Sequence, residues 1–551
     1  MKRRSSYISL LLTLILAVVQ PVDLEAKSSF KAGLNTDEGL ESSPMMTLTH
    51  TGYLRFRSDL FINPHMGIIH PTTGAPIGGM RKPVDGNSYS STNIRFRWNP
   101  TLNIGQAFKV HTVIDALDNV VLGSSPDSGA SRPDSPFAFS ADSQDPTAEE
   151  DAIRVKQVWG EWNIGHSFLL KLGRMGDHWG LGMVHNDGRC EDCDFGDLTD
   201  RVSMFFKISG FNSLWFFDSP AEGHIGQLPG AYGQASDLAN EDDVYRWGFT
   251  VGSQPMDVTS RAKRRRELAR GKVVVDWGVR NDFITQDFHT DVQSTTTASC
   301  ASTAGQTVDA DCVKLQSREA NLWLPNLWVK LQWKPHYNTY FRAEFEAAAT
   351  LGDVKYTQNL KSPSSAKEFV GFGGAAELEF TTGKLTMLLH TGLATGDETA
   401  FGSFGPGFHE PNDSLYGQNQ TVQDNTTVER FLFNRDYHVD MLLFRQQIGT
   451  ITNSFYVKPA VRAYLLKSEE QEMGMEVGAL YGHALKPEST PGKDSPLGIE
   501  GNVRLFFRQP KTFSADLEGA VLMPLGAFNA PITGKSPELT YTIQGRLTAR
   551  F

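Results

Sequence analysis

Long runs in which apolar and polar side chains alternate one for one constrain this chain more than any other feature. Leu54 and Phe56 interleave with Tyr53, Arg55 and Arg57, and Ile94, Phe96 and Trp98 interleave with Asn93, Arg95 and Arg97. Leu327, Val329, Leu331 and Trp333 do the same with Trp328, Lys330 and Gln332. Phe341, Ala343 and Phe345 do so with Arg342, Glu344 and Glu346. A period of two puts the two sets on opposite faces of a β-strand. One such strand fits two architectures. In a soluble sandwich the apolar face turns to a core; in a membrane barrel it turns to lipid, and the polar face lines a lumen.

Strand length and connection length separate them. Candidate strands run near 48–62, 89–104, 107–119, 152–164, 167–175, 200–209, 211–219, 243–253, 271–284, 320–334, 338–350, 368–381, 383–394, 436–446, 451–465, 473–484, 499–509, 512–524 and 538–551. Most exceed the usual strand of soluble sheets and match the length a tilted strand needs to cross a bilayer. Tight connections at Gly105-Gln106, Gly165-His166, Ser209-Gly210, Pro335 to Asn338 and Thr382-Gly383 alternate with long polar loops. That is the rhythm of a barrel with short turns on one side and long loops on the other. The fold class expected is all-β: one transmembrane antiparallel up-and-down β-barrel with long extracellular loops. The runs number nineteen, whereas single-chain barrels carry even numbers. Eighteen strands, within 16–20, are therefore expected, with 466–511 the region of doubt. Segment 254–270, rich in Arg261, Lys263, Arg264, Arg265, Arg266 and Arg270, reads as a helical turn. It is either simply solvated or makes electrostatic contact with an acidic partner or lipid head groups.

The start of the chain supports export. Lys2, Arg3 and Arg4 precede an apolar stretch to Val19, and Leu24-Glu25-Ala26 follows. This reads as a secretory signal peptide over 1–26, the alternative being a retained anchor. A short periplasmic segment, 27–47, would lead into the barrel, 48–551. It is too short for the plug of an energised transporter. No later apolar run is long enough for a membrane-spanning helix. The formal charge of −11 becomes −12 once three basic and two acidic residues leave with 1–26. That argues against a nucleic-acid partner, which wants a basic face.

The chain ends on Leu539, Tyr541, Ile543, Leu547, Ala549 and Phe551, alternating with polar residues. This resembles the last strand of outer-membrane porins. The resemblance implies that Phe551 is the signal read by the barrel-assembly machinery, and that the compartment is the outer membrane of a Gram-negative bacterium. Leu172-Gly173-Arg174, followed by Trp179-Gly180-Leu181-Gly182, resembles the strand end and turn of porin-like and alginate-export-like barrels. The stretch GRMGDHWGLGMVHNDGRCEDCDFGD is similar to that of a large uncharacterised family of outer-membrane proteins.

Charge in hydrocarbon is costly, so the charged face should line the lumen. The pore-lining set expected is Arg55, Arg57, Arg95, Arg97, Arg280, Arg342, Glu344, Glu346, Arg504 and Arg546, with Arg550, Asp59, Asp276, Asp516 and Glu518 beside them. Two readings fit: a transverse field that favours small polar solutes, or ion pairs that hold the wall together. Most tryptophans read as interfacial girdles; an inward one such as Trp328 would offer a stacking face for sugars. In the loop 185–201, Asp187, Asp192, Asp194 and Asp197 are oxygen donors of the kind calcium takes, although their spacing does not match the helix-loop calcium motif. The alternative is a solvated loop. Four cysteines, Cys190, Cys193, Cys300 and Cys312, suggest disulfides that pin loops, with zinc as the alternative.

No nucleophile elbow or phosphate-binding loop appears, and no enzyme is expected. No cofactor is expected beyond that calcium. The partners expected are outer-membrane lipid, the assembly machinery and small polar solutes. A homo-oligomer and a monomer share this pattern. The function expected is a porin-like channel for passive or weakly selective diffusion of small polar or charged solutes. Its alternatives are a non-conducting surface scaffold or adhesin acting through long loops, and a soluble secreted β-protein.

Overall fold

The computed structural model describes residues 46–67, 87–122, 153–165, 168–208, 211–221, 228–229, 235–236, 243–254, 258–292, 313–356, 365–397, 427–530 and 533–551. Residues 1–45, which hold the signal peptide expected over 1–26, and Cys300 and Cys312 lie outside the described residues.

Eighteen strands close into one antiparallel barrel. In chain order they are β1 (Met46–Ile62), β2 (Ser88–Ile104), β3 (Phe108–Val121), β4 (Ile153–Ile164), β5 (Phe168–Gly176), β6 (Leu198–Ile208), β7 (Phe211–Ala221), β8 (Val244–Gly252) and β9 (Val273–Val292), followed by β10 (Val313–His336), β11 (Thr339–Tyr356), β12 (Ser365–Thr382), β13 (Leu385–Ala394), β14 (Ser454–Lys467), β15 (Glu472–Ala484), β16 (Pro496–Gln509), β17 (Phe513–Pro524) and β18 (Thr540–Arg550). Each pairs with its neighbour in sequence, and β18 pairs back onto β1 with Tyr53 opposite Arg550 and Arg57 opposite Arg546. Closure leaves no open sheet edge, which is what makes a sheet tolerable in lipid.

Burial is inverted relative to a soluble protein, and this settles the orientation that one strand could not. Arg55, Arg95, Arg280, Asp115, Asp218 and Glu346 are buried, whereas Leu172, Val202, Trp215, Phe345, Leu505 and Ile543 lie open on the outside. The alternating apolar faces therefore form an outer lipid-facing belt, and the charged faces point inward. Trp162, Trp215, Trp247, Trp323 and Trp333 stand on that outer belt.

Tight turns and both ends of the barrel chain share one rim, which in barrels of this type is the periplasmic one. Gly105 and Gly383 hold left-handed backbone, φ 62° and 57°, where a side chain would strain the turn. At the seam Phe551 pairs its backbone with Gly52 at 2.9 and 3.1 Å and stacks on Phe96 at 5.7 Å. A Cβ on Gly52 would lie 2.5 Å from the Phe551 ring, so a glycine there lets the terminal ring seat.

One connection on this side is a helix, α1 (Val258–Ala269), as the basic segment implied.

The expected strand 436–446 is not a strand, which corrects the odd count; the error lay there and not in 466–511. His438-Val439-Asp440-Met441 alternates over too few residues. Leu442, Leu443 and Phe444 then follow without alternation and are all buried. A segment apolar on every side belongs inside, and here it forms a π-helical turn (Leu443–Ile448) within the lumen.

Candidate functional site

Two loops fold back into the barrel and meet inside it. Residues 177–197, between β5 and β6, form an acidic loop. Residues 429–453, between β13 and β14, form an apolar one.

The wall beneath the acidic loop contains an electrostatic conflict. Arg55 lies directly opposite Arg95, and Arg57 opposite Arg546. Like charges in register on adjacent strands repel, and burial sharpens the cost. Wall carboxylates answer part of it, Asp59 at Arg57, Asp118 at Arg95 and Asp516 and Glu518 at Arg546, and the loop adds the rest. Asp194 sits 2.7 Å from Arg57, 3.4 Å from Arg55 and 3.7 Å from Arg95. Asp192 lies 2.9 Å from Arg546 and 3.4 Å from Arg57, and binds Arg445 of the other loop at 2.6 Å. Burial raises the Asp192 carboxyl, but Arg445, Arg546 and Arg57 outweigh it and hold it well below the usual carboxylate range. Asp194 is lowered in the same way, burial being outweighed by Arg57 and Arg55.

The Cys190–Cys193 disulfide closes the tip that carries these acids. Arg95 donates to the Cys193 carbonyl at 2.7 Å, Arg55 to the Glu191 carbonyl at 2.9 Å, and Arg97 to the Gly188 carbonyl at 3.2 Å. Arg550 reaches the Glu191 carboxylate at 2.5 Å.

The root of the loop is held the same way. Asp177 receives Arg280 and Arg246 at 2.8 Å and Arg201 at 3.1 Å, three guanidiniums from three wall strands. Burial again opposes, and Arg280 and Arg201 again prevail, keeping Asp177 ionised well below its ordinary value. Arg201 and Arg280 also lie over the Phe216 ring at 4.4 and 5.0 Å. On the far wall Glu346 accepts from the Leu181 and Met183 amides at 2.7 and 3.3 Å and from Asn326 at 2.7 Å.

The apolar loop seats differently. Phe431, Phe433, Val439, Leu442, Leu443, Phe444, Ile448 and Ile451 pack against small or aliphatic inward wall residues, among them Ala348, Ala375, Leu480, Ala484 and Leu522. The inward faces of β11, β12, β15 and β17 are thus zoned. They are charged toward the periplasm (Arg342, Glu344, Glu377, Glu476, Asp516, Glu518) and apolar above. One buried carboxylate pins this loop: Glu500 accepts from the Met441, Leu442 and Leu443 amides at 2.8, 3.1 and 2.8 Å. Burial and the adjacent Glu500 push Asp440 up to about 8. Burial, then Arg445, brings His438 down to about 4.

Between loops and wall lies a cavity of about 970 Å³. Of the pore-lining set expected from the sequence, Arg280, Arg504 and Arg546 border it, beside Arg445, Lys458, Arg462, Glu377, Glu476, Tyr437 and His438. Arg55, Arg57, Arg95 and Arg97 do not border it; they lie under the acidic loop. Arg342 binds Glu344, Glu377 and Glu379 at 2.7, 3.1 and 3.3 Å. Arg504 and Arg546 share Asp516 at 2.6 and 3.2 Å. Trp328 is buried and donates to Glu344 at 2.9 Å, so its ring is not an open stacking face.

The four loop acids named for calcium do not converge. Asp192 and Asp194 face arginines; Asp187 takes Arg189 at 2.6 Å, and Asp197 accepts from the Asn186 amide at 2.9 Å and from Asn434 at 2.8 Å. Among the described residues no group of three or more His, Cys, Asp or Glu is placed to hold a metal ion. Sequence reasoning missed Asp177, Arg445, Lys458 and Glu500. Glu500 sits at an inward position in register with Asn502 and Arg504 and was legible on that ground. Arg445 was hidden in the segment misread as a strand.

A closed, even-stranded antiparallel barrel, apolar outside and charged inside, with loops folded into its lumen, has the porin-like architecture of barrels of the bacterial outer membrane. No family model and no curated sequence matches the chain. Among solved structures it is similar to three Pseudomonas aeruginosa proteins. OccK9 (OpdG) is 10% identical, with 92% of this chain and 98% of that one covered and a TM-score of 0.45. OccK2 (OpdF) is 9% identical, with 91% and 97% covered and a TM-score of 0.44. OccK8 (OprE) is 8% identical, with 92% and 97% covered and a TM-score of 0.43. The class is defined by the closed sheet and the inverted burial of this chain itself.

Proposed function

We propose that this protein is an outer-membrane channel for passive or weakly selective diffusion of small polar or charged solutes. The observation that carries the reading is the charged cavity left between the two inward loops and the wall. Its lining mixes fixed cations and anions at close quarters, so a solute entering it exchanges water for hydrogen bonds from Arg445, Lys458, Arg462 and Tyr437. An apolar solute gains nothing comparable. Most of the lumenal arginines are already paired, so they set the shape of the passage and its field more than they offer free binding sites.

Planar-bilayer recording of the refolded protein tests the reading: discrete, stable conductance steps are expected. One observation favours a second reading, a non-conducting surface scaffold. The apolar loop packs as a buried cluster against the inward faces of the wall within the lumen. Silence in the bilayer, with binding that depends on the long loops, would select the scaffold.

A further inference from the structure

Helix α1 stands where every neighbouring connection is a tight turn, and its charge is unlike that of the rest of the chain. Arg261, Lys263, Arg264, Arg265 and Arg266 lie within it and Arg270 follows, against one acid, Glu267. Arg264 is occupied: it binds Asp276 at 2.8 Å and Glu267 at 3.6 Å. Lys263, Arg266 and Arg270 are exposed, and no ion pair is seen for them among the described residues. They fall at i, i+3 and i+7, a single stripe with about 5–6 Å between neighbours. Like charges at this spacing destabilise a helix. Most lumenal arginines of this protein are met by carboxylates, whereas no carboxylate partner is seen for this stripe among the described residues.

The placement says where the stripe looks. Asp276 faces the lumen, between outward Val275 and Trp277 on β9. Lys207, which reaches Ser260 at 3.5 Å, also sits on the inward face of its strand. The helix is therefore fastened to the lumenal side of the periplasmic rim and not to the lipid belt, and its cationic stripe borders the route of anything crossing the mouth.

We propose that α1 is a binding site for small multivalent oxyanions, polyphosphates or polycarboxylates, at the periplasmic mouth of the barrel. A row of cations one helical turn apart favours a ligand with several charges over a single one, and a bound polyanion relieves the repulsion along the helix. The role in transport rests on the channel reading above; the binding does not.

The test is a ³¹P NMR titration of inorganic tripolyphosphate into refolded protein in neutral detergent at low salt. Wild type is compared with Lys263→Gln/Arg266→Gln/Arg270→Gln, since glutamine keeps helix propensity, and with the single reversal Arg266→Glu. Binding by wild type is expected, about tenfold weaker in the triple variant, weakened by Arg266→Glu and lost as salt rises. Equal affinity in wild type and triple variant overturns the site. So does displacement of tripolyphosphate by a small fraction of anionic lipid, which would assign the helix to head groups. In conducting bilayers, tripolyphosphate should reduce current from the periplasmic side alone; equal block from both sides overturns the placement. A barrel that never conducts ends the channel reading, while the titration still decides the site.

Discussion

The two inward loops occupy one lumen by opposite physical means. The acidic loop is held by charge: Asp177, Asp192 and Asp194 each face two or more wall arginines that would otherwise repel one another. The apolar loop is held by packing: Leu442, Leu443 and Ile448 are fully buried against alanines and leucines of the wall. Each is then fixed in register by one buried wall carboxylate that accepts backbone amides, Glu346 for the first and Glu500 for the second. Charge gives direction at the cost of desolvation, and it fails abruptly when one partner is lost. Packing is non-directional and fails in proportion to the volume removed. Together they let one segment border a wet cavity while the other fills space.

The contrast can be broken in order of effect. Asp177→Leu leaves three buried guanidiniums to two carboxylates, Arg201 and Arg246 on Asp218 and Arg280 on Asp282, so with one buried cation uncompensated the acidic loop should lose about 3–5 kcal/mol of local stability. Hydrogen exchange over 177–187 should rise while protection over 442–448 holds; joint loosening would mean that the loops are one unit. Leu443→Ala removes a fully buried side chain and should cost the apolar loop about 3 kcal/mol. The readout is exchange over 442–448 with the acidic loop unchanged, and a larger single-channel conductance. Cys190→Ser/Cys193→Ser opens a very short covalent loop and should cost about 2 kcal/mol. Protease sensitivity should appear at the 188–195 tip, which the Arg95 and Arg55 contacts still retain.

The smallest effect is with pH. Asp440 is raised when folded, so its contribution is complete below 3.8 and is lost as pH rises through about 8. From pH 7 to 8 the apolar loop should weaken by about 1 kcal/mol, and Asp440→Asn should abolish that slope. His438 is lowered, so acid also weakens this loop, as pH falls from 6.5 through about 4. Asp192 and Asp194 are depressed, so their contribution is present above 3.8 and fades only below it. Asp192 and Asp194 should thus add no slope from pH 5 to 9, whereas Asp197, raised by burial, loses its contribution as pH rises from 3.8 through its folded value. Exchange rates for the two segments across that range check the difference.

Much of the wall was legible in the chain. The alternation around Arg55, Arg95, Arg342 and Arg546 assigns each to an inward face, because a period of two permits no other arrangement once one face meets lipid. The basic segment at 254–270 announced a helix, and the four cysteines announced disulfides but not which cysteines pair. The interior was not legible in the same way. Nothing local distinguishes Arg280, which meets a loop carboxylate, from an arginine facing open water. His438 to Met441 looked like a strand because four alternating residues satisfy the pattern whether or not a neighbouring strand exists to pair with them.

The sequence by itself determined eighteen of the strands and which residues share a face, since these follow from periodicity along the chain. Only the tertiary structure decided what the inward charges do. Arg57 and Arg546 lie 489 positions apart in the numbering, and they become neighbours only when the barrel closes. Their repulsion, and the bridge that Asp192 makes between them, exist only once the seam has formed and the loop has folded in.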